Sequence, residues 1–496
     1  MSASNCLRCC LLRPSVVGRA GATAATAKAS AAATARLRQG MPLAAAAAAS
    51  FSTTANRGAN QKPKPGTKAA ERNAPPSIRQ GKLFTIKKKK KNDSGARVKS
   101  PLPGERKAFR KRILLSNTNA LPVPGLTDLG AESMLDPSNV CKVLSLPDDV
   151  VDQLRADEAF KTTQCWSMFR KPSILIRTET VDLITRMHAA AKTNKTLRLV
   201  LTGDRVTGKS LMLLQAITQA HLNDWLVVNI PDAQELTTAC TEYAPILDTE
   251  PIQYMQQNYV LKLIQAIKKS NEKLLLKLTT VFSHAGLPQN IPIKSPLMQL
   301  ANSAKEAEGA WAVFQAMWQE MTAQGHGRPP MLLSLDGLTH IMRISDYRTP
   351  AFNPIHSHDL ALVRLFTDHL SGATSLPNGG AVIAATNRNN APRNPSMELA
   401  LAQREAEQLG GGKDVPQPQP YLKGYDERVE AVLRNVQVIK LQGLSKLEAR
   451  ALMEYWAASG VLRITVDEKS VTEKWALGGS GVVGEMERAS LLTMRF

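Results

Sequence analysis

The octapeptide Gly203-Asp204-Arg205-Val206-Thr207-Gly208-Lys209-Ser210 has a glycine, four residues, then glycine, lysine and a hydroxyl. That spacing suits the capture of phosphate. Glycines let backbone amides face phosphate oxygens, Lys209 reaches the terminal phosphates, and the Ser210 hydroxyl is offered to magnesium. A second acid belongs beside such a loop, and Asp336 closes the apolar run MLLSLD at 331–336. A carboxylate at the C-terminal end of a buried parallel strand is placed to contact hydrated magnesium. The residue after it is Gly337, where many ATPases put the glutamate that polarises the attacking water. Asp346 is the nearest acid downstream. Loss of that base points to slow or absent hydrolysis, because water positioning and base assistance are worth orders of magnitude in rate. Asn387, after the run AVIAAT at 381–386, stands where a polar side chain senses a terminal phosphate or caps the strand. The guanine-reading pattern NKxD is absent: NRNN at 387–390 and Asn194-Lys195-Thr196-Leu197 both lack the aspartate. Trp166, Phe169 and Arg170 could pack beside a base, although an N-terminal structural collar is the preferred reading of 162–177.

These groups need elements to hold them. The run LRLVLT at 197–202 precedes the loop, and Leu211, Leu214 and Ile217 follow it at helical spacing, giving strand, turn and helix. Further strands are expected at 225–230, 331–336, 381–386 and 436–441. MLLSLD is apolar enough to lie in a central parallel strand covered on both faces. Residues 252–321 carry apolar residues at helical intervals and form a helical insertion, which accounts for the wide gap between Lys209 and Asp336. Residues 403–420 read as an exposed loop. Ser445 and Glu448 make a capping box for a helix that Gly460 ends. With Val461–Val466 and the glycine-rich 478–481, the C-terminus reads as a small winged-helix-like lid containing helix and short strands.

The chain has 496 residues and a net charge of +21, unevenly spread. Residues 1–112 hold 25 Lys and Arg against Glu71, Asp93 and Glu105, whereas the remainder carries 38 bases and 39 acids. No acid precedes Glu71, and Arg8, Arg13, Arg19, Lys28, Arg36 and Arg38 punctuate an Ala/Ser/Thr-rich stretch. That is the composition of a mitochondrial transit peptide, assigned to 1–57 with processing between Arg38 and Arg57. Prolines and self-repelling lysines make 58–125 a disordered basic extension suited to an RNA surface. The P-loop nucleotide-binding domain is set at 126–440 with its insertion at about 252–321, and the lid at 441–496. Cys141, Cys165 and Cys240 are too widely spaced for a disulfide framework or a zinc site. No transmembrane run is present.

Taken together, FRKPSILIR, LTGDRVTGKS, the Asp-Gly ending of MLLSLDGL, AVIAATNRN and the stretch from Gly424 through Val461 resemble the mitochondrial small-ribosomal-subunit family of death-associated protein three. The similarity runs from about 140 to 496. It implies a P-loop fold related to AAA-like and STAND-like NTPases, residence in the small-subunit head near intersubunit bridges to the large subunit, and contacts with ribosomal RNA and neighbouring ribosomal proteins. It also implies GTP or GDP as ligand, ATP remaining open, with Mg2+. The family roles fall on Gly203, Thr207, Gly208, Lys209 and Ser210 for phosphate and on Ser210 and Asp336 for magnesium. The expected function is that of a structural ribosomal protein holding a nucleotide. An active mitochondrial NTPase and a free nucleotide-dependent signalling adaptor are the alternatives.

Overall fold

Five apolar runs become one parallel sheet in the computed structural model: β1 (Thr196–Gly203), β2 (Leu226–Ile230), β3 (Met331–Asp336), β4 (Gly380–Ala385) and β5 (Gln437–Leu441). Their order across the sheet is β5-β1-β4-β3-β2. The structure describes residues 113–492, apart from 247–248, 285, 288, 389–390, 392, 411–414 and 418–423. The expected transit peptide and nearly all of the basic extension lie outside the described residues.

The sheet is apolar along its whole length because both faces are covered. Successive side chains alternate between them. Leu199, Leu201, Val227, Leu332 and Ile383 point to one side, where α1 (Thr178–Lys192) and α2 (Lys209–Leu222) add Leu183, Ile184, Met212 and Ile217. Val200, Val228, Leu333, Leu335 and Val382 point to the other. There α3 (Gln257–Ser270), α4 (Ala310–Met321) and α5 (Ala361–Ser371) supply Leu263, Ile264, Phe314 and Phe366. Helix α2 is buried from Met212 to His221, since α1 and the helix Asp148–Ala156 cover the side turned away from the sheet. That helix begins at the glycine-rich turn, so its burial fixes the loop.

The insertion between β2 and β3 is helical over α3, Glu272–Lys277, Leu297–Asn302 and α4, but 278–296 is irregular. One buried carboxylate organises that segment. Glu320 of α4 accepts backbone N–H bonds from Val281 and Phe282, with the Phe282 bond at 2.8 Å. It also contacts Arg328 Nη2 at 2.8 Å and His284 Nε2 at 3.0 Å. Beside it, Phe314 is stacked between Trp311 and Trp318, with centroids 5.7 and 6.1 Å away.

Three expectations change. Residues 403–408 are helical, belonging to α6 (Pro395–Gln408), which opens with Asn394 capping Met397 N and proline in its first turn. The Ala, Glu, Gln and Arg content then favours helix until the glycines arrive. Ordered packing starts before 126, since Leu115 and Ala120 are buried. The lid is built from α7 (Lys446–Ala458), α8 (Glu468–Leu477) and the helix Val483–Glu487, and among its described residues Val461–Val466 forms no strand. A short β-prone run without a partner strand cannot satisfy its backbone in a sheet. Instead Val461 and Leu462 donate to Trp456 O, which turns the chain back onto α7. No helix of the described residues is long and apolar enough to cross a membrane.

Candidate functional site

The C-terminal ends of β1, β4 and β3 stand side by side. Ala385 registers with Leu201 on one side and with Asp336 on the other. The glycine-rich loop, Thr386 and Asp336 therefore share one edge, although β4 separates the two charged strands. This is the edge at which open parallel sheets bind ligands.

The loop's shape comes from close backbone contacts. Gly203 has φ +141°, and a Cβ there would collide with the carbonyl of Leu441 at the end of β5. Only glycine fits. Val206 adopts φ +54°, a left-handed conformation unusual for a β-branched residue, and its carbonyl accepts a 3.1 Å hydrogen bond from Gly484 N in the lid. A Cβ on Gly484 would stand 2.8 Å from Val206 Cβ. The lid thus rests its backbone directly on the loop. Below it, the buried Arg177 guanidinium reaches Thr207 O at 3.5 Å, Gln442 O at 3.1 Å and Glu179 at 2.9 Å, with Glu448 of the α7 capping box 3.8 Å away. Arg177 ties the loop, the end of β5 and the lid together.

Each expected residue can now be placed. Gly208 caps the N-terminus of α2, so the amides of its first turn have no intrahelical acceptor. Lys209 is buried, and its ammonium donates to the carbonyls of Gly203, at 3.1 Å, and Asp204. Burial, reinforced by Arg388 and opposed by Asp204 and Asp336, pulls its pKa down to about 8. Thr207 turns its hydroxyl inward to Asp204 O at 3.0 Å, leaving its backbone amide as the group for a ligand. Ser210 is half-buried in the first turn of α2. Asn387 lies next to the turn after Asp336: its N–H donates to Thr339 Oγ1 at 3.3 Å and its carbonyl accepts from the same hydroxyl at 3.0 Å. Asp346 is elsewhere, exposed and lining a surface groove with Tyr243 and Arg348. Trp166 and Phe169 are buried against Phe160 and Tyr455 respectively, which fits the collar reading. Arg170 is exposed.

Besides Arg177, sequence reasoning missed two further cations. Lys161, immediately before the collar, pairs with Asp336 Oδ2 at 3.2 Å and donates to Pro231 O at the end of β2. Arg388 pairs with Asp204 at 3.1 Å. His340 was also missed. It is buried one turn beyond Asp336, with neither ring nitrogen hydrogen-bonded among the described residues, and burial lowers its pKa. For a hydrated magnesium ion the donor set fits only in part: Ser210 offers a half-buried hydroxyl in the first turn of α2, but Asp336 is already engaged by an ammonium group.

The family profile described as mitochondrial ribosomal death-associated protein 3 matches residues 174–489, which contain every strand of the sheet and the loop. The chain belongs to that family. It is accordingly a mitochondrial ribosomal protein of the matrix. Its relatives agree. A small ribosomal subunit protein mS29 from Neurospora crassa is 57% identical over 503 residues and covers 100% of both chains. The protein of the same name from Schizosaccharomyces pombe is 23% identical over 332 residues, covering 66% of each. The part of this family chain N-terminal to the match includes Lys161, which only the structure brings to Asp336.

Proposed function

We propose that this chain is a structural protein of the mitochondrial small ribosomal subunit whose sheet is a P-loop NTPase sheet, AAA-like or STAND-like, holding a purine nucleotide. The small-subunit names of its relatives support the subunit, and the family resemblance is what supports a place in the head near the bridges to the large subunit, against ribosomal RNA and neighbouring proteins. The nucleotide reading is carried by one observation: Lys209 is buried at the sheet's ligand edge with its charge turned, among the described residues, to backbone carbonyls alone. Keeping an unpaired ammonium there is costly unless an anion completes it.

In this reading Gly203, Thr207 and Gly208 supply amides, Lys209 supplies charge, and Asn387 faces the terminal phosphate. Ser210 and Asp336 are the groups that would face magnesium, which neutralises phosphate charge when bound. GTP or GDP is the expected ligand from the family, with ATP the alternative. Gly337 has no side chain to activate water, so the bound nucleotide turns over slowly or not at all. It then acts as a folding element whose binding energy adds to native stability. The Lys209→Ala protein tests this: nucleotide should be lost and small-subunit levels should fall in cells relying on it. Normal subunit levels with a nucleotide-free variant would make the ligand dispensable.

A further inference from the structure

Asp336 is the one acid at the ligand edge that sits where a P-loop site uses magnesium, and it does not face open solvent. Its side chain is 13% exposed and its Oδ2 is 3.2 Å from the Lys161 ammonium, itself 26% exposed. Lys161 is anchored at the same time by Pro231 O, the carbonyl that follows β2. A surface lysine paired with an acid is ordinarily worth little. This one is held at two points and reaches the end of β3 from the segment just before the collar, more distant in sequence from β3 than from the loop. The charges around the loop then balance in a particular way. Arg388 answers Asp204 and Lys161 answers Asp336. Lys209 meets only carbonyl oxygens, and among the described residues no carboxylate lies within ion-pair distance of it. Of these five side chains three are cations and two are acids, before any metal is added. A magnesium ion needs several oxygen ligands and coordinates through its carboxylate or through water ordered by it. Here the acid's charge is already met.

We propose that Lys161 is a residue of the nucleotide site that supplies, at Asp336, the positive charge other P-loop sites draw from magnesium, so that the nucleotide is retained without a divalent cation. The inference rests on the nucleotide reading above and adds to it the source of the neutralising charge. A lysine is suited to the task because it acts as a compact point charge on a long flexible stem.

The test is equilibrium binding of fluorescent guanine and adenine nucleotides to the purified full-length protein, with magnesium and with a chelator at matched ionic strength. For the wild-type chain, Kd should move by less than about threefold between the two conditions. In Lys161→Met, which keeps the stem and removes the charge, Kd in chelator should weaken by about tenfold or more and recover with magnesium; tenfold corresponds to about 1.4 kcal/mol. Lys161→Arg should bind like the wild type, which controls for folding together with an unchanged melting temperature. A wild-type protein that binds with magnesium and loses about tenfold or more in chelator overturns the inference and leaves the nucleotide reading standing. So does a Lys161→Met protein indistinguishable from wild type in both conditions. Absence of binding to every nucleotide under both conditions removes the nucleotide reading, and this inference with it.

Discussion

Lys209 carries the most informative side chain of the molecule. Burial lowers its pKa to about 8, with Arg388 adding to the effect, so part of the free protein loses this charge in mildly alkaline solution. A bound anion favours the ammonium, which puts the higher pKa in the complex. Nucleotide affinity should therefore be nearly flat below pH 8 and decline as pH rises past it, with proton uptake on binding. Calorimetry in buffers of different ionisation enthalpy measures that uptake; affinity that rises above pH 8 would show that Lys209 does not hold the anion. Gly203 makes a steric prediction at the same scale. Gly203→Ala places a methyl group into the carbonyl of Leu441 at a positive φ, so the loop must distort. Nucleotide binding should be lost, and stability should fall by about 1–3 kcal/mol as judged by denaturant midpoint.

At the scale of elements, the sequence disclosed the sheet and the loop, and it did so for a physical reason. Doubly covered parallel strands are short continuous apolar runs, and the loop's geometry is written in glycines at fixed spacing. Strand order was not visible, because periodicity says which faces are buried and nothing about which strand lies beside which. Lys161 and Arg177 escaped notice for a related cause: the bonds that bring them to the site, to Asp336 and Pro231 and to Thr207 and Gln442, span dozens to hundreds of positions, and neither residue belongs to a recognisable local pattern. Glu320 likewise read as an ordinary helical residue. Its side chain is fully buried and receives donors from Val281, Phe282, His284 and Arg328. Glu320→Ala should cost about 3–5 kcal/mol, since it strands a buried guanidinium and two backbone donors. Proteolysis within 278–296 should accelerate more than elsewhere; an unchanged cleavage pattern would mean that the segment is held by other contacts.

For the whole molecule, acid sensitivity follows from buried imidazoles. Burial lowers the pKa of His340, His356, His358 and His369, bringing His358 to about 3. An unfolded imidazole takes up its proton near pH 6.5. The unfolded state therefore binds more protons over the interval below that pH, and stability present above about 6.5 is lost progressively as pH falls. Thermal melting between neutral pH and about pH 5 should show the decline, and His358→Leu should flatten it; an identical slope in the variant would place the sensitivity in other groups. The charge division acts at the same scale. Residues 1–112 hold a net charge of +22 and the remainder −1, so removing 58–112 should weaken RNA association and reduce its salt dependence. Unchanged RNA retention at moderate salt would locate the contact on the body instead.

All three scales meet in the claim that the loop at the end of β1 grips a nucleotide. The direct measurement is to purify the full-length protein, denature it and identify by chromatography what is released. Wild-type protein should release a purine nucleotide in near-equal proportion to chain, and Lys209→Ala should release almost none. Equal release from both proteins, or none from the wild type, would contradict the account.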